Sequence, residues 1–290
     1  MLLQQLINGI TLGAVYTLVA LSFSLGMGLL SILNVAISEL FMLGGYAGLT
    51  VIAVKLPLPV ALLVGMASAA LVAIVIEKVA YEPLRDAPAV TPLLSTIGFS
   101  IILQNLVTNL WGSDPLQLPS GLLDQRINVG PVTIGAMQIV VVGVTVILVA
   151  AVAFLIQKTS AGRALRAVAE NRDVARLLGV SASRMTLFAF VLSGALAGAG
   201  GVLIGLHYAT LTPYVGVDTG LKAIAVMVIG GTSNVWGALI AGPLIGFAEV
   251  LTIAYGGSQM RDFVVYGLMI LILLLRPQGL AGGADVGRQV

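Results

Sequence analysis

Three sets of residues in this sequence could do chemistry. The first is a run of six cations, Lys158, Arg163, Arg166, Arg172, Arg176 and Arg184, out of fourteen in the whole chain. They crowd into 158–184, the one stretch with the composition of water-soluble protein, and suit a loop that reaches for a soluble partner. The second is a file of hydrogen-bonding side chains, Thr96, Ser100, Gln104 and Thr108, with Asn105 beside it, inside an otherwise apolar segment. The third is a pair of acids in apolar surroundings, Glu39 and Glu249, and the only histidine, His207.

The main sequence-visible enzyme classes find no support. The chain has no Gly-x-Ser-x-Gly elbow, no His-Glu-x-x-His and no P-loop. The glycine-rich run from Gly230 to Asn234 lacks a lysine and a strand-to-helix context, so it reads as a turn between a half-helix and the next span. Cysteine is absent, which excludes disulfides and thiolate sites, and a single histidine excludes a histidine-rich metal site. Neither a metal nor another cofactor is expected.

The elements that must hold these residues are membrane spans. At 59% hydrophobic and 9% charged residues, the composition does not suit a soluble surface. The apolar runs last about twenty residues, the length of a membrane-crossing helix, whereas barrel strands would alternate over about ten. The 35 glycines suit close helix packing in lipid. The start, MLLQQLINGITLG, carries no basic leader and no small-residue cleavage site, so the first run is read as a retained span. The formal charge of +2 reports orientation in the membrane and gives no sign of nucleic acid.

The expected fold is therefore all-α and polytopic, one transmembrane domain over 1–290 with a cytoplasmic loop at 158–184. Apolar windows fall at 6–30, 37–54, 59–76, 90–110, 137–156, 187–206, 221–229, 236–254 and 263–275. That makes eight full segments and a short one, 221–229, which either crosses or is re-entrant. Nine crossings put the N-terminus outside, the C-terminus inside and ten of fourteen cations in the cytoplasm. Lys55, Arg126, Lys222 and Arg261 are left outside, each expected to snorkel from a span end. The segment 111–131, rich in turn formers, is expected as an external lid or docking rim, and the glycine-interrupted regions 26–48 and 220–246 hint at discontinuous helices.

Within 158–184 the punctuation predicts a short helix from Arg172 to Leu178. Asn171 can cap it, Asp173 sits in its first turn at the positive dipole end, and Gly179 stops it. Arg172 and Arg176 would share one face, with Val174, Leu177 and Leu178 supplying apolar area. On these residues two readings stay open: a surface loop obeying the positive-inside bias, or a docking helix.

The segment 90–110 projects with Phe99, Ile102, Leu103, Leu106 and Leu110 as a lipid-facing stripe and the polar file on the opposite side. That file either lines a solute path or supplies hydrogen bonds between helices. Of the acids, Glu249 is expected toward the outer part of its span and Glu39 near the inner interface, solvated; a carboxylate at depth costs on the order of a few kcal/mol unless paired or wet. His207, beside Tyr208, reads as an interfacial residue.

Ordered landmarks run the length of the chain: NGITLGAVYTLVALS at 8–22, ELFMLGGYAG at 39–48, EPLRDAPAVTPLLSTIGFSIILQNL at 82–106, GRALRAVAENRDVARLLGV at 162–180, LKAIAVMVIGGTSNVWGALIAG at 221–242 and RPQGL at 276–280. With them the chain resembles the integral membrane permeases of bacterial ABC importers for branched-chain amino acids. The resemblance implies a bacterial plasma-membrane subunit paired with a second, homologous permease, two cytoplasmic ATP-binding subunits and an external solute-binding protein. It also implies that the loop carrying Ala169, Glu170, Asn171, Arg172, Asp173, Ala175, Arg176 and Gly179 docks on the ATPase. In one place the chain departs from the family: before Glu39 that family shows a small-residue and histidine pair, and here stand Ile37 and Ser38. The implied solute is a branched-chain amino acid, with urea or short amides as the alternative inside the family. Outside it, an ion-coupled secondary transporter would need acids that coordinate ions at the midplane.

Overall fold

The computed structural model describes residues 2–30, 33–85, 87–88, 90–117, 126–129, 132–232 and 234–281. Its helices, in chain order, are α1 (Leu2–Leu30), α2 (Ile37–Ala53), α3 (Leu58–Ile76), α4 (Val90–Trp111), α5 (Ala136–Lys158), α6 (Ser160–Glu170), α7 (Arg172–Leu177), α8 (Ala182–Tyr208), α9 (Val215–Gly230), α10 (Val235–Tyr255) and α11 (Arg261–Leu275). Seven helical segments are long and apolar enough to cross a bilayer, and α2 is a shorter apolar helix of 17 residues. That gives eight apolar membrane segments among the described residues, within the expected range, and α9 is a further, mostly buried helix of 16 residues. The chain is an all-α polytopic membrane protein.

α1 and α8 form the centre, and α2, α9 and α10 pack around them. Nearly every residue of α8 from Ser193 to Leu206 is buried. Its run of small residues lets neighbouring backbones come close, the usual device of helix association in lipid, where apolar burial drives nothing. The tightest crossing joins α2, α3 and α8. A Cβ added to Gly44 would lie 2.9 Å from the Gly65 carbonyl oxygen and would collide with Gly198 as well.

The two ends of the bundle are distinguishable. At one end Gln4 Nε2 donates to the Thr133 carbonyl and the Thr133 N–H donates back to Gln4 Oε1, both at 3.0 Å. Gln138 Nε2, at the start of α5, donates to Asn8 Oδ1 at 2.8 Å. A hairpin of β2 (Arg126–Val129) and β3 (Val132–Gly135) precedes α5 at this end. β1 (Leu116–Gln117), after α4, pairs with β4 (Thr210–Leu211), after α8. α5 then carries the chain to the other end, where α6 begins. The start of α1 and the 158–184 loop therefore sit at opposite ends of α5. Of the 111–131 segment, expected to be external, residues 118–125 and 130–131 lie outside the described residues.

The first glycine-interrupted region breaks between α1 and α2, and the second at the turn between α9 and α10. α9 rises only about 24 Å at 1.5 Å per residue, short of the roughly 30 Å hydrocarbon core. It is mostly buried and runs antiparallel to α10. Its last carbonyls are capped by the C-terminal segment: the Leu280 N–H donates to Ile229 O at 2.7 Å and the Ala281 N–H to Gly230 O at 3.3 Å.

Candidate functional site

The 158–184 module is built by local chemistry. Thr159 caps α6, its Oγ1 accepting from the Gly162 N–H at 3.1 Å. The helix breaks at Asn171, whose backbone is extended and whose Oδ1 accepts from the Asp173 and Val174 N–H groups, each at 3.0 Å. α7 ends in a paired C-terminal cap, with Val180 N–H donating to Ala175 O at 2.9 Å and Gly179 N–H to Arg176 O at 3.0 Å. Gly179 has φ +80°, which explains a glycine at that position. The predicted cap, helix and stop are all present, with the helix ending at Leu177 instead of Leu178.

α7 is pinned to the bundle by Ala175, buried in a small cluster with Val168 and Ala182. The outward side carries Leu177, 87% exposed, and Leu178, 75% exposed, with Val174 beside them. Arg172 and Arg176 stand four residues apart on α7 but make different contacts. Arg172 is half-buried and Nη2 donates to Thr186 Oγ1 at 3.3 Å, while Arg176 pairs along the helix with Asp173 at 3.5 Å. Ala169 is half-buried and Glu170 exposed at the end of α6.

The polar file on α4 divides. Thr96 is fully buried, donating to Leu93 O at 2.9 Å and accepting from the Val35 N–H at 3.4 Å. Ser100, Gln104 and Thr108 are half-buried along the same edge; Thr108 donates to Gln104 O at 2.8 Å, and exposed Asn105 donates to Ile101 O at 2.8 Å. Below Ser100 the file therefore spends its hydrogen bonds on its own helix. The apolar stripe is split too: Ile102, Leu106 and Leu110 are exposed, but Leu103 is buried and Phe99 packs on the core. α4 faces its neighbours through Pro92, Thr96, Leu103 and Val107, a line rotated from the one that hydropathy alone selects.

The acids differ most from expectation. Glu39 is 1% exposed instead of solvated, and its Oε1 accepts from Ser100 Oγ at 3.4 Å, halfway along α4. Lys222 does not snorkel. It is buried and its Nζ lies 2.5 Å from Glu249 Oε1 and 3.4 Å from Asp262 Oδ1. Tyr16 donates to the other Glu249 oxygen at 2.7 Å, and Arg261 pairs with Asp218 at 3.1 Å. Glu249 is thus the middle of a polar knot joining α1, α9, α10 and α11. His207 stacks edge-on to Tyr208, their centroids 4.9 Å apart, at the end of α8.

Comparison with known proteins gives one family. The family model described as branched-chain amino acid transport system / permease component matches residues 5–273. The chain is 37% identical to the high-affinity branched-chain amino acid transport system permease protein LivH of Escherichia coli strain K12, over 98% of this chain and 96% of that one. It is 35% identical to BraD, the similarly named permease of Pseudomonas aeruginosa, over 98% of this chain and 97% of that one. A probable LivH of Methanocaldococcus jannaschii is 30% identical over 91% of this chain and 88% of that one.

Proposed function

This chain belongs to the family of permease components of branched-chain amino acid transport systems, and on that premise we propose that it is the membrane-spanning subunit of an ATP-driven importer in a bacterial plasma membrane. Its solute is leucine, isoleucine or valine. The whole chain, 1–290, forms one permease domain. It works with a second homologous permease, two cytoplasmic ATP-binding subunits and an external solute-binding protein, and ATP hydrolysis takes place on the partners.

The observation that carries this reading is α7. A six-residue helix in water is not stable alone, yet here it is capped at both ends and anchored through Ala175, with two leucines held outward. Such anchors fit a groove on a soluble partner, where a few buried side chains carry most of the binding energy. Residues 169–179 therefore form the coupling element, and motion of α7 is passed to α6 and α8. In this reading Thr96, Ser100, Gln104, Asn105 and Thr108 line the solute path, with the exposed side of α4 turned to the companion permease.

The test uses the reconstituted transporter with both leucines replaced, Leu177→Glu and Leu178→Glu, at positions that make no contact inside the permease that the change would break. ATP hydrolysis should cease to respond to the loaded binding protein and leucine uptake should stop, while membrane insertion and leucine binding by the external protein persist. Normal stimulated hydrolysis in that double variant would remove the assignment.

A further inference from the structure

Three buried carboxylate oxygens among the described residues lack a hydrogen-bond partner, on Glu39, Glu77 and Asp262. Glu77 Oε2 has Lys78 Nζ at 3.7 Å and Asp262 Oδ1 has Lys222 Nζ at 3.4 Å. Glu39 has no ion pair among the described residues. The groups against its carboxylate carry no charge: Gly216 of α9 lies against Oε2, and Ser100 supplies one long hydrogen bond to Oε1. An acid kept in this state inside a membrane protein is expensive and marks a functional position.

The acid is also covered in a particular way. Glu39 stands in the first turn of α2, where the helix dipole favours negative charge. The start of α9 lies flush against that turn, because Gly216 and Gly220 have no side chains there. A Cβ on Gly216 would lie 3.1 Å from Glu39 Oε2, and one on Gly220 would collide with Ser38 Oγ. The first turn of α9 thus covers an acid that lies level with the middle of α4, and α9 is joined to α10 by a short turn after Gly230.

We propose that Glu39 is the docking point for the α-ammonium group of the amino acid in transit, uncovered when α9 moves off α2. The inference rests on the amino-acid importer reading above. A zwitterion leaving water needs a partner for its cationic end, and an uncompensated carboxylate beside hydroxyls supplies one. The attachment stays weak because both ions must be desolvated to form it, so the solute can leave. The same arrangement accounts for Thr96 and Ser100 being the members of the file with a hydrogen bond to residues near this turn, Val35 and Glu39.

The experiment measures uptake of radiolabelled L-leucine into proteoliposomes holding the complete transporter, for the parent, Glu39→Gln and Glu39→Asp, with assembly checked by size exclusion. Glu39→Gln keeps the shape and removes the charge. Its uptake should fall about tenfold or more, the scale of one lost hydrogen bond to a charged group. Glu39→Asp should recover a clear share of that loss. Parental uptake by Glu39→Gln overturns the proposal, as does an equal fall in both variants or a loss of assembly in Glu39→Gln. A parent that imports urea but not leucine overturns the amino-acid reading itself, and this assignment with it.

Discussion

Removing Lys222 should cost the protein far more than removing its partner. With Lys222→Met the Glu249 carboxylate, 1% exposed, keeps only the Tyr16 hydroxyl at 2.7 Å and stays buried without a cation. Breaking a buried pair in that way costs about 3–5 kcal/mol. With Glu249→Gln the ammonium still has Asp262 at 3.4 Å, and a half-exposed carboxylate can follow it. The expected loss is then about 1–3 kcal/mol, the range for one buried hydrogen-bond partner. The double replacement, Lys222→Met with Glu249→Leu, leaves no charge to desolvate, and it should lose less than Lys222→Met alone. Thermal unfolding in detergent, followed by the loss of the monodisperse peak on size exclusion, ranks the three. Equal losses for the two single variants, or a double variant whose loss is the sum of its parts, would refute the claim that an orphaned Glu249 is the cost.

Further outcomes follow from other parts of the bundle. Single cysteines at Gln5 and Ser181, introduced into this cysteine-free chain, should be labelled by an impermeant thiol reagent from opposite sides of the membrane, Gln5 from outside; labelling from one side would sink the topology. Gly44→Val should impair folding, by about 1–3 kcal/mol or more, because the tight crossing with α3 and α8 has no room for a side chain; an unchanged melting profile would count against that packing. On α4, Ser100→Leu or Gln104→Leu should abolish leucine uptake with assembly intact, whereas Ile102→Val should be nearly silent. If both faces respond alike, or the polar variants fail by losing assembly, the file is interhelical glue.

What the sequence determined by itself is what depends on near neighbours along the chain. Hydropathy sets whether a segment enters lipid, and every apolar window became a helix, most within a few residues of the expected limits, although the helices of the 187–206 and 221–229 windows begin earlier, at Ala182 and Val215. Caps are equally local: Asn171, Thr159 and Gly179 act within five residues, so the α6–α7 module was legible almost atom for atom. Which side of a helix is buried was not legible, because in a bilayer both the lipid side and the protein side are apolar. Leu103 and Phe99 looked lipid-facing for that reason and turned out to be packed. The charges depended most on tertiary structure. Lys222 meets Glu249 across 27 residues of sequence, Tyr16 meets it across 233 and Ser100 meets Glu39 across 61. Each of these acids and bases looked alone in its own segment. Only the glycine-mediated approach of distant helices decided that Lys222 and Glu249 would pair and that Glu39, beneath the first turn of α9, would have one carboxylate oxygen without a hydrogen-bond partner among the described residues.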